Sequence, residues 1–312
     1  MVVLKPFGDI AVQQAELIAT ATWLMLLIIV PVIALTLFFA FRYRHANTEA
    51  KYEPEWDHST KLEVLIWGAP LAIILVLGTI TWISTHKLDP YRPLDRIDAQ
   101  RAVAPGTKPL RVDVVAMDWK WLFVYPEEGV ATVNELAAPV DRPIEFHLTA
   151  STVMNAFYVP ALAGMVYAMP GMETKLNAVI NHPGVYQGMS ANYSGAGFSD
   201  MHFRFIGMSD ADFKAWVEDN KATGQNLDRI AYLKLEKPSQ REPVRRFANV
   251  DDRLYEAVLN RCVDDARMCS GEMMAIDARG GAGKGAIRDV TERDTAFGRR
   301  TVVAAMCTPK DL

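Results

Sequence analysis

Two runs without a charged side chain constrain this chain more than any other feature. Leu17 to Phe41 covers 25 residues and Val64 to Ile83 covers 20. At about 1.5 Å of rise per residue, either run as a helix clears the roughly 30 Å hydrocarbon core of a bilayer. Buried core helices can be apolar all round too, but these runs are too long and too free of charge for a chain of 312 residues. Trp23, Trp67 and Trp82 fall near the ends, where interfacial aromatics collect. Pro31 sits mid-span and predicts a kink that neighbouring helices can accommodate. These runs absorb much of a composition that is 50% hydrophobic and only 22% charged.

Orientation follows from the basic residues beside each span. Arg42, Arg44, Lys51 and Lys61 lie between the runs, against Lys5 alone before the first, so the connection is cytoplasmic and both ends face outward. Residues 1–16 hold no apolar core of their own, so the first span itself translocates them unless a signal has already been removed. The expected order is an external tail over 1–16, transmembrane helices over 17–41 and 63–85 joined by a cytoplasmic linker over 42–62, and a second linker over 86–109 with four prolines. The net charge of −4 offers no basic patch for nucleic acid.

From Leu110 the pattern changes to short β-rich runs separated by turns such as YPEEG, VDRP and NHPG. Leu110–Ala116, Trp119–Val124, Ile144–Ala150, Val166–Met169, Lys175–Val179, Gly184–Met189 and His202–Gly207 predict a β-sandwich or barrel over 110–208. A helical extension is predicted over 209–270, with no further strands. Ser209 caps DADFKAWVEDNK, whose Phe213, Trp216 and Val217 share a face, and Leu227–Leu235 and Asp252–Met268 read as helices. The Gly- and Arg-rich tail over 271–312 is weakly periodic and expected to be poorly ordered. Its GGAGKG lacks the spacing and the preceding strand of a phosphate loop.

Three cysteines, Cys262, Cys269 and Cys307, lie in the last fifth of the chain, in an external and oxidising compartment. A disulfide could join Cys262 to Cys269, or either to Cys307. One continuous helix over 255–270 would hold the first pair about 10 Å apart, too far to bridge, which favours Cys307. No His or CxxC accompanies them, so a metal site is the weaker reading.

Four segments carry a resemblance: MDWKWLFVYPEEG (Met117–Gly129), STVMNAFYVP (Ser151–Pro160), AMPGMETKL (Ala168–Leu176) and GVYQGMSANYSGAGFSDM (Gly184–Met201). Together with the hairpin they resemble subunit II of the haem-copper respiratory oxidases. That resemblance implies a membrane α-hairpin of two transmembrane helices plus an all-β cupredoxin-like sandwich, followed by the C-terminal helical extension. KYEPEW, DHSTKLEVLIW and TVNELAAP are similar to the quinol-oxidase branch, the cytochrome bo type.

In copper-bearing members the last segment holds two cysteines, a histidine and a methionine around a two-copper centre. Here those places read Ser190, Ser194, Phe198 and Met201; Asn155 stands for the other histidine, and Asn192 for a residue that contributes its backbone oxygen. A two-copper centre needs bridging thiolates and imidazoles, and serine hydroxyls do not ionise at neutral pH. The resemblance therefore implies a chain with no catalytic residue and no bound metal or other cofactor. Haems, copper and ubiquinol are expected in the partner subunit I. Further partners are smaller membrane subunits and lipid, in a bacterial plasma membrane complex that oxidises ubiquinol, reduces dioxygen to water and pumps protons. The competing readings are a copper-bearing electron-entry subunit of a cytochrome c oxidase and a membrane-tethered assembly module.

Other candidate groups favour structural roles. Met154, Met165, Met169, Met172, Met189 and Met201 read as adaptable core filling. His147 and His202 lie in predicted strands, where a satisfied or surface side chain is the default. Trp119 and Trp121 alternate about Lys120 and read as packing. Glu63 begins the second span, where an acid suits the helix dipole. The resemblance gives it a further expected role, the mouth of a proton channel into subunit I.

Overall fold

The computed structural model describes residues 2–51, 53, 55–264 and 266–278. These form two compact units, one of Val12–Arg92 and the other of the residues up to Ala11 together with Pro93 onward. In the first unit lie α1 (Asp9–Arg42, but for its opening residues) and α2 (Thr60–Lys87). Their most apolar stretches bury nothing within the protein, so side chains such as Leu27, Phe38, Leu65 and Ile74 stand exposed. Apolar surface of that extent suits a hydrocarbon surrounding, which fits two membrane spans. The hydroxyls of Thr22, Thr36, Thr79 and Thr85 each donate to the carbonyl four residues earlier, which satisfies these four hydroxyl hydrogens within the helix.

The second unit is built from strands β1 (Leu110–Met117), β2 (Lys120–Tyr125), β3 (Val130–Val133), β4 (Glu135–Pro139), β5 (Ile144–Ala150), β6 (Asn155–Tyr158), β7 (Val166–Ala168), β8 (Thr174–Ala178), β9 (Gly184–Ser190) and β10 (His202–Met208). After them come α3 (Asp210–Thr223), β11 (Gln225–Leu227), α4 (Arg229–Glu236), β12 (Arg245–Val250), α5 (Leu254–Leu259) and α6 (Ser270–Asp277). One sheet has the order β11-β12-β3-β2-β1-β5-β8 and the other β4-β10-β9-β6-β7. This is the expected cupredoxin-like sandwich on a two-helix anchor, with helices following it.

The larger sheet is buried on both faces. Leu110, Val112, Val114, Trp121, Phe123 and Tyr125 face the other sheet. The residues between them, Val115, Met117, Leu122 and Val124, pack instead against Leu227, Tyr232, Leu235, Leu254 and Val258 from the C-terminal segment. The two-residue period of a strand thus feeds two separate cores, and each large side chain fully buried contributes about 1.5–3 kcal/mol.

Four expectations need correction. The strands do not stop after Gly207: β12 pairs antiparallel with β3 and β11 pairs parallel with β12, because the edge of β3 would otherwise remain unpaired. The helix expected over Asp252–Met268 ends at Leu259. The N–H groups of Arg261 and Cys262 fold back onto the carbonyls of Val258 and Ala257 at 3.0 and 2.9 Å, the two bonds of a Schellman turn. That reversal brings Cys262 to Cys269, with Cα atoms 4.8 Å apart, and these two form the disulfide in place of a bridge to Cys307. Cys307 lies outside the described residues, as does the tail beyond 278. Residues 271–277, the first of the tail expected to be poorly ordered, belong to α6.

The external N-terminal segment is also more than a tail, since α1 starts at Asp9. The N–H groups of Phe7 and Gly8 both donate to the carbonyl of Ala161, at 3.0 and 2.9 Å, and that of Asn181 donates to the Phe7 carbonyl at 2.9 Å. A Cβ on Gly8 would stand 2.5 Å from the Val179 carbonyl oxygen and 2.7 Å from that of Leu162. Asp9, buried, receives two hydrogen bonds from Arg96 at 2.9 and 3.0 Å.

Two stability measurements follow. Gly8→Ala forces backbone apart at a closed contact, so thermal unfolding of the purified full chain is expected to show a loss of about 1–3 kcal/mol. An unchanged melting temperature would mean that the segment is not held as described. Reducing the Cys262–Cys269 bridge, which closes a short loop, is expected to cost about 2 kcal/mol by chain entropy, read as a lower midpoint in denaturant with and without reductant.

Candidate functional site: the loop at the end of the sandwich

The end of β9, the start of β6 and the loop leading to β10 bring together most of the residues singled out in the sequence. Asn155 and Ser190 are buried. The Ser190 hydroxyl lies 3.1 Å from the Asn155 side-chain oxygen and 3.3 Å from the Asn192 carbonyl. Asn155 donates its amide to the Val153 carbonyl at 3.2 Å, and Asn192 reaches the carbonyls of Met154 and Tyr193. Phe198 turns its ring onto Tyr193, with centroids 5.6 Å apart. Met201 is buried in the sandwich core.

Ser194 is held differently, since its backbone carbonyl accepts from the Trp119 indole N–H at 3.1 Å. Trp119 sits in the turn between β1 and β2 with φ of 63°, and its ring covers Gly195 and Gly197. A Cβ on Gly197 would stand 2.5 Å from that ring, so this glycine is required by close approach. Trp121, next on the strand, is buried between the sheets against Phe157 and Phe203 at 5.5 and 5.8 Å. Both tryptophans pack, as expected. The role of Trp119 as the lid of the loop was missed, although a tryptophan before a strand and two glycines in a distant loop were visible signals.

The donor chemistry does not suit copper. The Ser190 hydroxyl bonds to Asn155, the Asn155 and Asn192 amides donate to backbone carbonyls, the Ser194 hydroxyl is buried without a partner among the described residues, and Met201 is a lone thioether in an apolar core. Among the described residues, no group of three or more His, Cys, Asp or Glu side chains is placed to hold a metal ion. The core-filling expectation for methionine holds fully for Met201, while Met169 and Met189 are half-buried and Met154, Met165 and Met172 are exposed.

Elsewhere on the domain, charged groups are satisfied structurally. Buried Glu135 lies within ion-pair distance of Arg204 and of Arg246, the latter at 3.3 Å, and accepts from the Trp216 indole at 3.2 Å. The Lys120 ammonium donates to the Lys237 carbonyl at 2.8 Å and to Ser239 at 2.7 Å, and burial pushes its pKa down. His147 is bracketed by Glu145 and Glu173, each 3.0 Å from a ring nitrogen, while His202 is exposed. Burial opposes ionisation of Glu145, but Lys175 and His147 outweigh it and hold its carboxyl below the ordinary range. Arg101 and Asn181 likewise outweigh burial at Asp141.

In the membrane unit, Glu63 lies in the first turn of α2. Its carboxylate is 2.7 Å from the Nδ1 of His58, with both side chains more than half exposed. The sequence reading did not anticipate His58 as its neighbour.

A membrane hairpin carrying this two-sheet domain defines the subunit II class of the haem-copper oxidases. The family model of the cytochrome c oxidase subunit II periplasmic domain matches residues 126–205, and that of the oxidase aromatic-rich motif matches residues 221–266. Ubiquinol oxidase subunit 2 of Acetobacter aceti is 49% identical, covering 82% of this chain and 81% of that one. Cytochrome bo(3) ubiquinol oxidase subunit 2 of Pseudomonas aeruginosa is 46% identical over 84% of this chain and 76% of that protein. Its counterpart in Pseudomonas putida is 45% identical, with 83% and 79% covered. The chain belongs to the family of subunit II of bacterial quinol oxidases. It is an inner-membrane protein with two spans and a periplasmic domain, and its N-terminal segment pairs with that domain on the same side.

Two outcomes test this description. Both Glu145 and Asp141 have depressed pKa values, so their stabilisation is full above the ordinary carboxylate range and lost as pH falls through their folded values. Melting temperature is therefore expected to fall steeply in acid, and Glu145→Gln to flatten that fall; an identical pH profile in the variant would contradict it. Ser190→Ala removes one buried hydrogen bond and is expected to cost about 1 kcal/mol in chemical denaturation.

Proposed function

We propose that this chain is the structural, copper-free subunit II of a proton-pumping complex that oxidises ubiquinol and reduces dioxygen to water. The observation that carries the reading is the Asn155–Ser190–Asn192 hydrogen-bond knot, where copper-bearing relatives place a thiolate and an imidazole. A loop wired this way has no redox-active donor, so electrons enter the complex elsewhere. Haems, copper and the quinol site belong to subunit I, on which the periplasmic domain rests, with smaller membrane subunits and lipid around the hairpin. Asn155, Ser190, Asn192, Ser194, Phe198 and Met201 are then former ligand positions whose side chains now serve the shape of the loop.

A metal and haem inventory of the complex purified through this chain tests the proposal. Expected are haem and copper in a co-purifying polytopic subunit, with quinol-dependent oxygen uptake. Two coppers per copy of this chain, or isolation of the chain alone, would overturn it.

Glu63 is proposed as a proton-collecting group at the cytoplasmic end of α2. Its support is position: an ionisable carboxylate at the membrane edge, exposed to water and in contact with His58, can take up and pass on protons. Glu63→Ala is expected to lower proton uptake and oxygen consumption of the assembled complex several-fold, without changing subunit content. Unaltered turnover would remove Glu63 from the site.

A further inference from the structure

An open cavity of about 420 Å³ lies between the end of α4, the turn joining β1 to β2 and the disulfide loop after α5. That volume is in the range of small-molecule sites, about 300–1,000 Å³. Some of its polar groups are already engaged. Asp118 accepts from the Thr152 hydroxyl, and Asp264 accepts from the Ala266 N–H and faces Arg267 at 3.9 Å.

Four groups are not engaged. The Ser151 hydroxyl oxygen is buried with no hydrogen-bond partner. Among the described residues, no hydrogen bond or ion pair engages the side chains of Glu236, Lys237 or Arg261. Burial raises the Glu236 carboxyl pKa, an effect that nearby Arg267 only partly offsets.

Arg261 is also misplaced by local rules. It occupies the residue after the cap of α5, at φ of 57°, a position that favours glycine because an L side chain is strained there. A non-glycine residue held in that region points to a use for its side chain. Arg261 lines the cavity with an exposed side chain, and a guanidinium fork suits phosphate or carboxylate.

The geometry points to this cavity as a binding site for a small zwitterion, its phosphate or carboxylate taken by Arg261, Lys237 and the Ser151 hydroxyl, and its ammonium by Glu236. A simple anion would leave Glu236 unanswered and a simple cation would oppose Arg261. The two disulfide cysteines bracket the loop that carries Asp264 and Arg267, and Arg261 immediately precedes it, so the bridge holds one wall of the site. This assignment is independent of the oxidase reading, because it uses none of the residues at the former ligand positions.

Titration calorimetry on the detergent-solubilised complex, using O-phosphoethanolamine and ethyl phosphate, tests it. Expected is binding of O-phosphoethanolamine about tenfold or more tighter than ethyl phosphate, a difference of about 1.4 kcal/mol. Arg261→Gln should weaken both probes, whereas Glu236→Gln should abolish only the preference between them. Disulfide content and melting temperature, measured alongside, separate these effects from misfolding. Repeating the titration in nanodiscs with and without phosphatidylethanolamine distinguishes the source. Loss of probe binding in the lipid-containing discs assigns the site to a headgroup, and equal binding in both assigns it to a free solute. No binding to the unmodified complex, equal affinity for the two probes, or affinities untouched by both substitutions would overturn the proposal.

Discussion

Burial of the larger sheet on both faces is the constraint on which the periplasmic domain depends. β1 and β2 present alternate residues to two different cores, one shared with the second sheet and one with the C-terminal segment. A strand buried on one side only would tolerate polar residues at every second position. Here Val115, Met117, Leu122 and Val124 need a cover, and α4 and α5 supply it, while Phe247 of β12 extends the same apolar face. The C-terminal segment is thus part of the sandwich, and the Cys262–Cys269 bridge closes the loop that follows α5.

The loop between β9 and β10 depends on that same sheet from its other end. Trp119, held in the turn where β1 passes to β2, lies across Gly195 and Gly197 and bonds to the Ser194 carbonyl. Ser190 and Asn155 tie the two strands of the smaller sheet together beside it. The contour of a metal-binding loop can persist without metal because an aromatic cover and a few buried hydrogen bonds determine the backbone path. Each such bond contributes only about 1 kcal/mol net, but a buried group left unpaired would cost more.

Much of this was legible in the chain. The spans were evident from charge-free length, and most strands from short β-rich runs between turns. The Ser209 cap and the Phe213, Trp216 and Val217 face of α3 were read correctly, since caps and helical spacing are local. β12 was not legible: RRFANV carries two arginines, and nothing local says that Arg246 will reach Glu135 or that β3 has an open edge. The end of α5 was missed for a related reason, because a Schellman turn usually announces itself with glycine and this one uses Arg261.

By itself the sequence determined that two segments must sit in a bilayer, that a β-rich domain follows them outside, and that the loop near Ser190 lacks thiolates and imidazoles. These are matters of composition and spacing, and no fold can supply a missing sulfur. Only the tertiary structure decided that Phe7 and Gly8 seal against Ala161 and Asn181 and that Cys262 finds Cys269. It also decided that Arg261 and Glu236 share a cavity. Each of these joins residues whose proximity depends on how the backbone turns or on elements distant in sequence, and such contacts follow from packing rather than from local preference.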